Sequence, residues 1–227
     1  MSPLRRYWIL VRWDWNREMK RKDTIVSMVL FALVTLMIFS FAIPPDSETG
    51  VKARAGVLWV TFLLAGSIGI DRAFRDEEGG RVLEGLLLSP VGRIAIFYAR
   101  FTSTFLFVVL MEGVTFVAFC LLYNVDLSAA ATAKIAAVAL GATAGFVAAG
   151  VTLSAMTRSI HGSDVILRIL LFPLLIPIFY AAVHLTGAFF RELEPRLLAI
   201  AIIAAFDLVY LAAGQILFEQ IVADFDG

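Results

Sequence analysis

The sequence holds a single cysteine, Cys120, so no disulfide can close within the chain and no cysteine metal cluster can form. Histidine is nearly as scarce. His161 and His184 each stand without a second histidine, cysteine or carboxylate at metal-site spacing, which leaves zinc chemistry without a ligand set. Charged residues make up only 17% of the 227 and balance to a formal net charge of zero, so nothing in the charge calls for a nucleic acid partner. The phosphate loop G-x-x-x-x-G-K-[ST], the nucleophile elbow G-x-S-x-G and the zinc motif H-E-x-x-H are all missing. No catalytic constellation is left, and the chain reads as no enzyme by itself. Any work powered by ATP requires a nucleotide bound by another polypeptide.

Apolar residues are what the sequence has in excess. They make up 60% of it, with a mean hydropathy of +0.88, where soluble domains run at about 45–50% apolar. That surplus cannot be hidden in a core this size, so lipid is the expected solvent. Six apolar runs near or above the roughly 20 residues that a bilayer core requires fall at about Thr24 to Ile43, Ala53 to Ile70, Ile94 to Tyr123, Ala131 to Met156, Ile166 to Phe190 and Leu197 to Phe218. Pro44-Pro45 closes the first, and Glu194-Pro195 precedes the last. The expected fold is an all-α integral membrane protein of six transmembrane helices. Residues 1–23 precede them as an interfacial helix, and 24–227 form one membrane domain without internal repeats.

In the N-terminal segment Leu4, Trp8, Val11, Trp15 and Met19 fall at spacings of 4, 3, 4 and 4, one helical stripe among arginines. Tryptophan favours the headgroup level and arginine meets anionic lipid, so this helix is expected to lie on the membrane; the same pattern would suit a helix packed on a soluble partner. The run after it is too long for the apolar core of a cleavable leader and no A-x-A site follows, so it is expected to stay as the first span. With the N-terminus cytoplasmic, fourteen of the nineteen basic residues lie inside and five (Lys52, Arg54, Lys134, Arg191 and Arg196) outside. The positive-inside rule then puts both termini in the cytoplasm.

Between the second and third runs lies a charged island, Asp71 to Arg93, reading DRAFRDEEGGRVLEGLLLSPVGR. Gly79-Gly80 breaks the chain before Arg81 and Ser89-Pro90 stops it after Leu88, which predicts a short helix over 81–88. Leu83, Leu86 and Leu87 share one face of it, at i, i+3 and i+4, with Arg81, Glu84 and Gly85 elsewhere. Those leucines can lie on the bilayer surface or enter a groove on another protein.

Only two carboxylates fall inside the apolar runs. Glu112 and Asp207 lie deep in the third and sixth, where an ionised side chain costs about 3 kcal/mol on the lenient insertion scale, so each needs a polar cavity, a partner or a proton. A transport role and a structural hydrogen bond between helices both satisfy that need. His184, near the end of the fifth run, is the candidate for a haem iron, which requires only one axial imidazole. Gly141, Gly145 and Ala149 make a small-residue face that suits either packing within one subunit or dimerisation, and Pro173 and Pro177 are expected to bend the fifth span.

An amphipathic N-terminal helix, six spans and RVLEGLLLSPVGR on the inner side together resemble the ABC-2 type permeases, in which the equivalent segment is a coupling helix docked on an ATPase. GVLWVTFLLAGSIGIDRAF, LEGLLLSPVGRIAIFYAR and AFDLVYLAAGQILFEQIVAD resemble, more closely, the CcmB family of haem exporter B proteins in cytochrome c maturation. The resemblance implies a bacterial inner-membrane permease subunit present twice, bound to two copies of a CcmA-like ATPase and to CcmC-like and CcmD-like membrane subunits. It implies that ATP hydrolysis on the partner is coupled to haem export or to release of the haem-loaded, CcmE-like periplasmic chaperone. Docking then falls to Arg81, Leu83, Glu84, Gly85, Leu86, Leu87, Ser89 and Pro90. An ABC-2 exporter of another amphipathic substrate and a non-transporting membrane scaffold for the ATPase are the alternatives.

Overall fold

A computed structural model of the chain describes residues 3–20, 22–72, 92–157 and 163–223; within these stretches every regular element is helical. In chain order they are α1 (Pro3–Lys20), α2 (Lys22–Ala42), α3 (Glu48–Arg72), α4 (Arg93–Leu122), α5 (Ala129–Thr157), α6 (Ser163–Phe189) and α7 (Leu197–Ala223). The six from α2 onward are long and apolar enough to cross a membrane. The protein is an all-α, multi-pass membrane protein.

Local chemistry sets the helix ends. Asp23 stands in the first turn of α2, where a negative charge meets the positive end of the helix dipole. The Pro44-Pro45 pair prevents the helix from continuing past the turn. Ser47 then caps α3, its Oγ accepting the Gly50 N–H at 2.9 Å. Gly50 is required there, because a Cβ would run into the carbonyl oxygens of Pro44 and Pro45. Ser128 caps α5 in the same way, accepting the Ala131 N–H at 3.2 Å. Between α6 and α7, Glu192 takes a left-handed φ of 54°, and the Leu193 N–H returns to the Ala188 carbonyl at 2.9 Å, closing the last turn of α6.

The bundle is built around α5, whose apolar stretch is 67% buried against 22% for α2 and 17% for α7. It packs most extensively on α7 and α6 and also touches α4 and α3, while α2 lies outside α3 and α4. Small residues let α5 occupy that place. A Cβ at Gly145 would meet Ile178 of α6 and Phe206 of α7 at 2.6 and 2.8 Å, and one at Gly150 would meet Ile70 of α3 at 2.5 Å. The face Gly141, Gly145 and Ala149 is thus filled from within the chain: Gly141 looks at Ile203, and Ala149 is fully buried. α6 runs as one helix through Pro173 and Pro177.

Two sets of contacts define the ends of the bundle. At the turn end, Arg54 of α3 donates through Nη2 to the Tyr123 carbonyl at 3.2 Å, Lys134 lies 5.6 Å over the Phe189 ring, and Phe119 stacks on Phe190. Just beneath it, the buried Trp59 indole donates to Thr186 Oγ1 at 2.9 Å and meets Phe62 and Phe179 edge-on. At the opposite end, the foot, α1 crosses the beginning of α4.

The packed face of α1 differs from the stripe expected from spacing. Leu10, Val11 and Asp14 are buried and Tyr7 and Trp15 half-buried, whereas Trp8 is 58% exposed. The face is turned because a polar contact fixes it: Asp14 must point inward to reach Arg100. The side chains of Leu4 and Met19 lie outside the described set.

Candidate functional site

All eight docking candidates, Arg81, Leu83, Glu84, Gly85, Leu86, Leu87, Ser89 and Pro90, lie outside the described residues, as does His161. The structure instead gives the frame on which that segment is mounted. α3 runs to Arg72 with Asp71 buried, and the chain re-enters at Gly92, whose extended backbone (φ −60°, ψ 141°) caps α4. Segment 73–91 therefore leaves and returns at the foot, beside α1.

The beginning of α4 is held there from two sides. Arg100 donates through Nη1 to Asp14 Oδ1 at 2.9 Å, and each of the two side chains is only 7% exposed. Tyr7 Oη and Thr102 Oγ1 share a hydrogen bond of 2.7 Å, and Trp15 stacks on Phe107 with centroids 4.7 Å apart. From the other side, Tyr98 Oη donates to Gln215 Oε1 of α7 at 3.3 Å. The beginning of α4 is thus bonded to both α1 and α7. Sequence reasoning missed this ion pair. Its signals were faint: Asp14 is the only acid among the first 17 residues, and Arg100 interrupts an apolar run.

The two intramembrane carboxylates lie on different flanks of α5. Glu112 is buried and accepts a hydrogen bond from Thr143 Oγ1 at 2.7 Å, which joins α4 to α5. Asp207 of α7 places Oδ1 over Gly145, in the space a side chain would fill; that oxygen has no hydrogen-bond partner among the described residues. Positions 143 and 145 point about 200° apart around a helix, so the two groups do not face one another.

A third feature sits at the turn end. A cavity of about 400 Å³ opens between the start of α3, the end of α6 and the start of α7. Its lining brings together Lys52, His184, Arg191, Glu194 and Arg196 over a floor that includes Ala55, Val183 and Leu185. His184 is exposed, with its ring 4.4 Å from that of Tyr180. Among the described residues, no three of the histidine, cysteine and carboxylate side chains come together as a metal site.

Comparison with known proteins gives this architecture a family. Heme exporter protein B of Haemophilus influenzae is 26% identical over 173 residues, 74% of this chain and 76% of that protein. Heme exporter protein B of Bradyrhizobium diazoefficiens is 26% identical over 150 residues, 66% of this chain and 67% of its own length. The match to heme exporter protein B of Escherichia coli K12 is shorter, 26% identity over 94 residues, and spans 43% of that protein and 41% of this chain. The profile of the family described as CcmB protein matches residues 5–220. With five of the seven described helices wholly inside that match and the first and last mostly so, the chain belongs to the CcmB protein family.

Proposed function

We propose that this chain is the permease subunit of an ABC-type complex in cytochrome c maturation. It couples ATP hydrolysis on a separate, CcmA-like ATPase to haem export or to release of the haem-loaded CcmE-like chaperone. The observation that carries the reading is the family match over residues 5–220, on six membrane-crossing helices whose sequence has no phosphate loop. Relatives bearing the name heme exporter protein B support haem as the cargo. In this reading the chain lies in the bacterial inner membrane with both termini cytoplasmic. It is present twice, binds two ATPase copies, and stands beside CcmC-like and CcmD-like subunits.

The ATPase grips the segment 71–93. Leu83, Leu86 and Leu87 enter its groove, Arg81 and Glu84 flank them, and Gly85, Ser89 and Pro90 shape the peg. Movement then passes through Gly92 into α4, whose beginning is tied to α1 by Asp14 and Arg100. The test is the double variant Leu86→Asp/Leu87→Asp, purified from membranes with its partners. Two carboxylates on an apolar docking face should abolish ATPase co-purification while the chain itself still accumulates. Retention of the ATPase with unchanged stimulated activity would end the docking assignment.

The separation of the carboxylates favours a second reading, a scaffold that anchors the ATPase beside a haem-handling subunit. Glu112 and Asp207 sit on opposite flanks of α5 and do not share one polar path. An amide at position 112 can still accept from Thr143, so Glu112→Gln/Asp207→Asn should leave a stable complex and normal cytochrome c assembly. Lost assembly in an intact complex would instead put these groups on the route of the cargo. Haem crossing this chain would meet His184 at the turn end, as the candidate axial ligand there.

A further inference from the structure

The cavity at the turn end has a composition that neither coupling nor anchoring requires. Of the five basic residues that charge counting leaves at this end, Lys52 of α3 and Arg191 and Arg196 of the connection between α6 and α7 converge on it. Its depth is defined by the helices themselves. The apolar stretch of α6 ends at Phe189 and that of α7 begins at Leu197, so Arg191 and Arg196 stand above the hydrocarbon level and Val183 and Leu185 below it. The lining is thus cationic at headgroup height and apolar underneath. Beside it Leu197 and Leu198 are 80% and 72% exposed, a surface along which an acyl chain can run.

The charge balance narrows the occupant. Lys52 is ion-paired with Glu48, and Glu194 offsets one of the two arginines, which leaves one net positive charge. The beginning of α7 adds to it: the positive end of the dipole of a 27-residue helix lies at this end, with no acidic side chain in its first turn. Past the left-handed turn at Glu192, the connection contributes Leu193, Glu194 and Arg196 to the lining.

We propose that this cavity seats the phosphodiester of an anionic phospholipid from the leaflet at the turn end. Arg191 and Arg196 hold the phosphate, and the glycerol and upper acyl carbons lie on Val183, Leu185 and Ala188. A single negative charge matches the single uncompensated positive one. A zwitterionic lipid brings a cation for which the lining offers only Glu194.

The test is native mass spectrometry of the full chain in detergent, titrated with phosphatidylglycerol and, separately, phosphatidylcholine. Phosphatidylglycerol should bind about 5-fold more tightly, the equivalent of about 1 kcal/mol for the one uncompensated positive charge at 1.4 kcal/mol per factor of ten. Arg191→Gln/Arg196→Gln should erase that preference with thermal stability unchanged, and Lys134→Gln, whose amine lies over Phe189 outside the lining, should keep it. Equal binding of the two lipids, or a preference that survives the double arginine variant, would overturn the assignment. Displacement of the bound lipid by inorganic phosphate or by hemin at equal concentration would also overturn it, giving the site to a soluble anion or to the carboxylates of the cargo.

Discussion

Replacing Arg100 with methionine is expected to destabilise the chain by about 3–5 kcal/mol, because it breaks a buried ion pair by removing one of its two charges. Both side chains are only 7% exposed, so water cannot make good the loss and salt screens little of it. The double variant Asp14→Leu/Arg100→Met should recover most of the stability, since two apolar side chains of similar volume can replace a buried pair at little cost. Heating in detergent followed by size-exclusion measures both. A single variant as stable as the parent would show that the contact contributes nothing to the attachment of α1. The double variant also separates stability from coupling. If it folds but no longer supports partner-driven movement, the ion pair matters for transmission beyond holding α1 in place.

Gly145→Leu is the second large effect. The new side chain would have to enter space held by Ile178, Phe206 and the Asp207 carboxylate, at the point where α5 meets both α6 and α7. Overpacking of this kind costs about 1–3 kcal/mol and more when the backbone must move. Displacing Asp207 also removes that group from its only described position. Graded controls lie on the same bundle: Gly141 meets only Ile203, at 3.2 Å, and Gly113 has nothing within 4 Å. Alanine should therefore be tolerated at 141 and should stabilise at 113 by about 0.5–1 kcal/mol, the helix penalty of glycine. The series is read from thermal midpoints. Equal tolerance of leucine at 113 and 145 would mean that α5 does not pack on α6 and α7 as described.

Much of the fold could be read from the sequence because membrane spans are a property of apolar run length. The run placed at Thr24 to Ile43 is the span Asp23–Ala42, and the run at Leu197 to Phe218 is Leu197–Leu217. The start of the second span was less legible. Lys52 and Arg54 look like loop residues, yet α3 begins at Glu48, because Ser47 caps it and Arg54 bonds the Tyr123 carbonyl across the turn end. Spacing alone offered two uses for the small residues of α5, and only the neighbours Ile203, Phe206 and Ile178 decide for packing within the chain.

The site was harder to read, for a reason of distance along the chain. Asp14 and Arg100 are 86 positions apart, and no local pattern links them. Lys52, His184 and Arg196 come from three different helix ends and meet only once the bundle has closed. Glu112 and Asp207 stood out as costly residues in apolar runs, but that they lie on opposite flanks of α5 follows from Thr143 and Gly145, which no carboxylate-based search would select. The leucine face of 83, 86 and 87 rests on the sequence pattern.

Accessibility labelling of that segment tests the central claim most directly. In a Cys120→Ser background, Glu84→Cys provides one thiol within residues 73–91 for a membrane-impermeant maleimide. The account predicts labelling in inverted membrane vesicles and none in intact cells, with the thiol masked when the ATPase is present. Labelling from the outside of intact cells would contradict it, because a segment on that side has no access to a cytoplasmic motor.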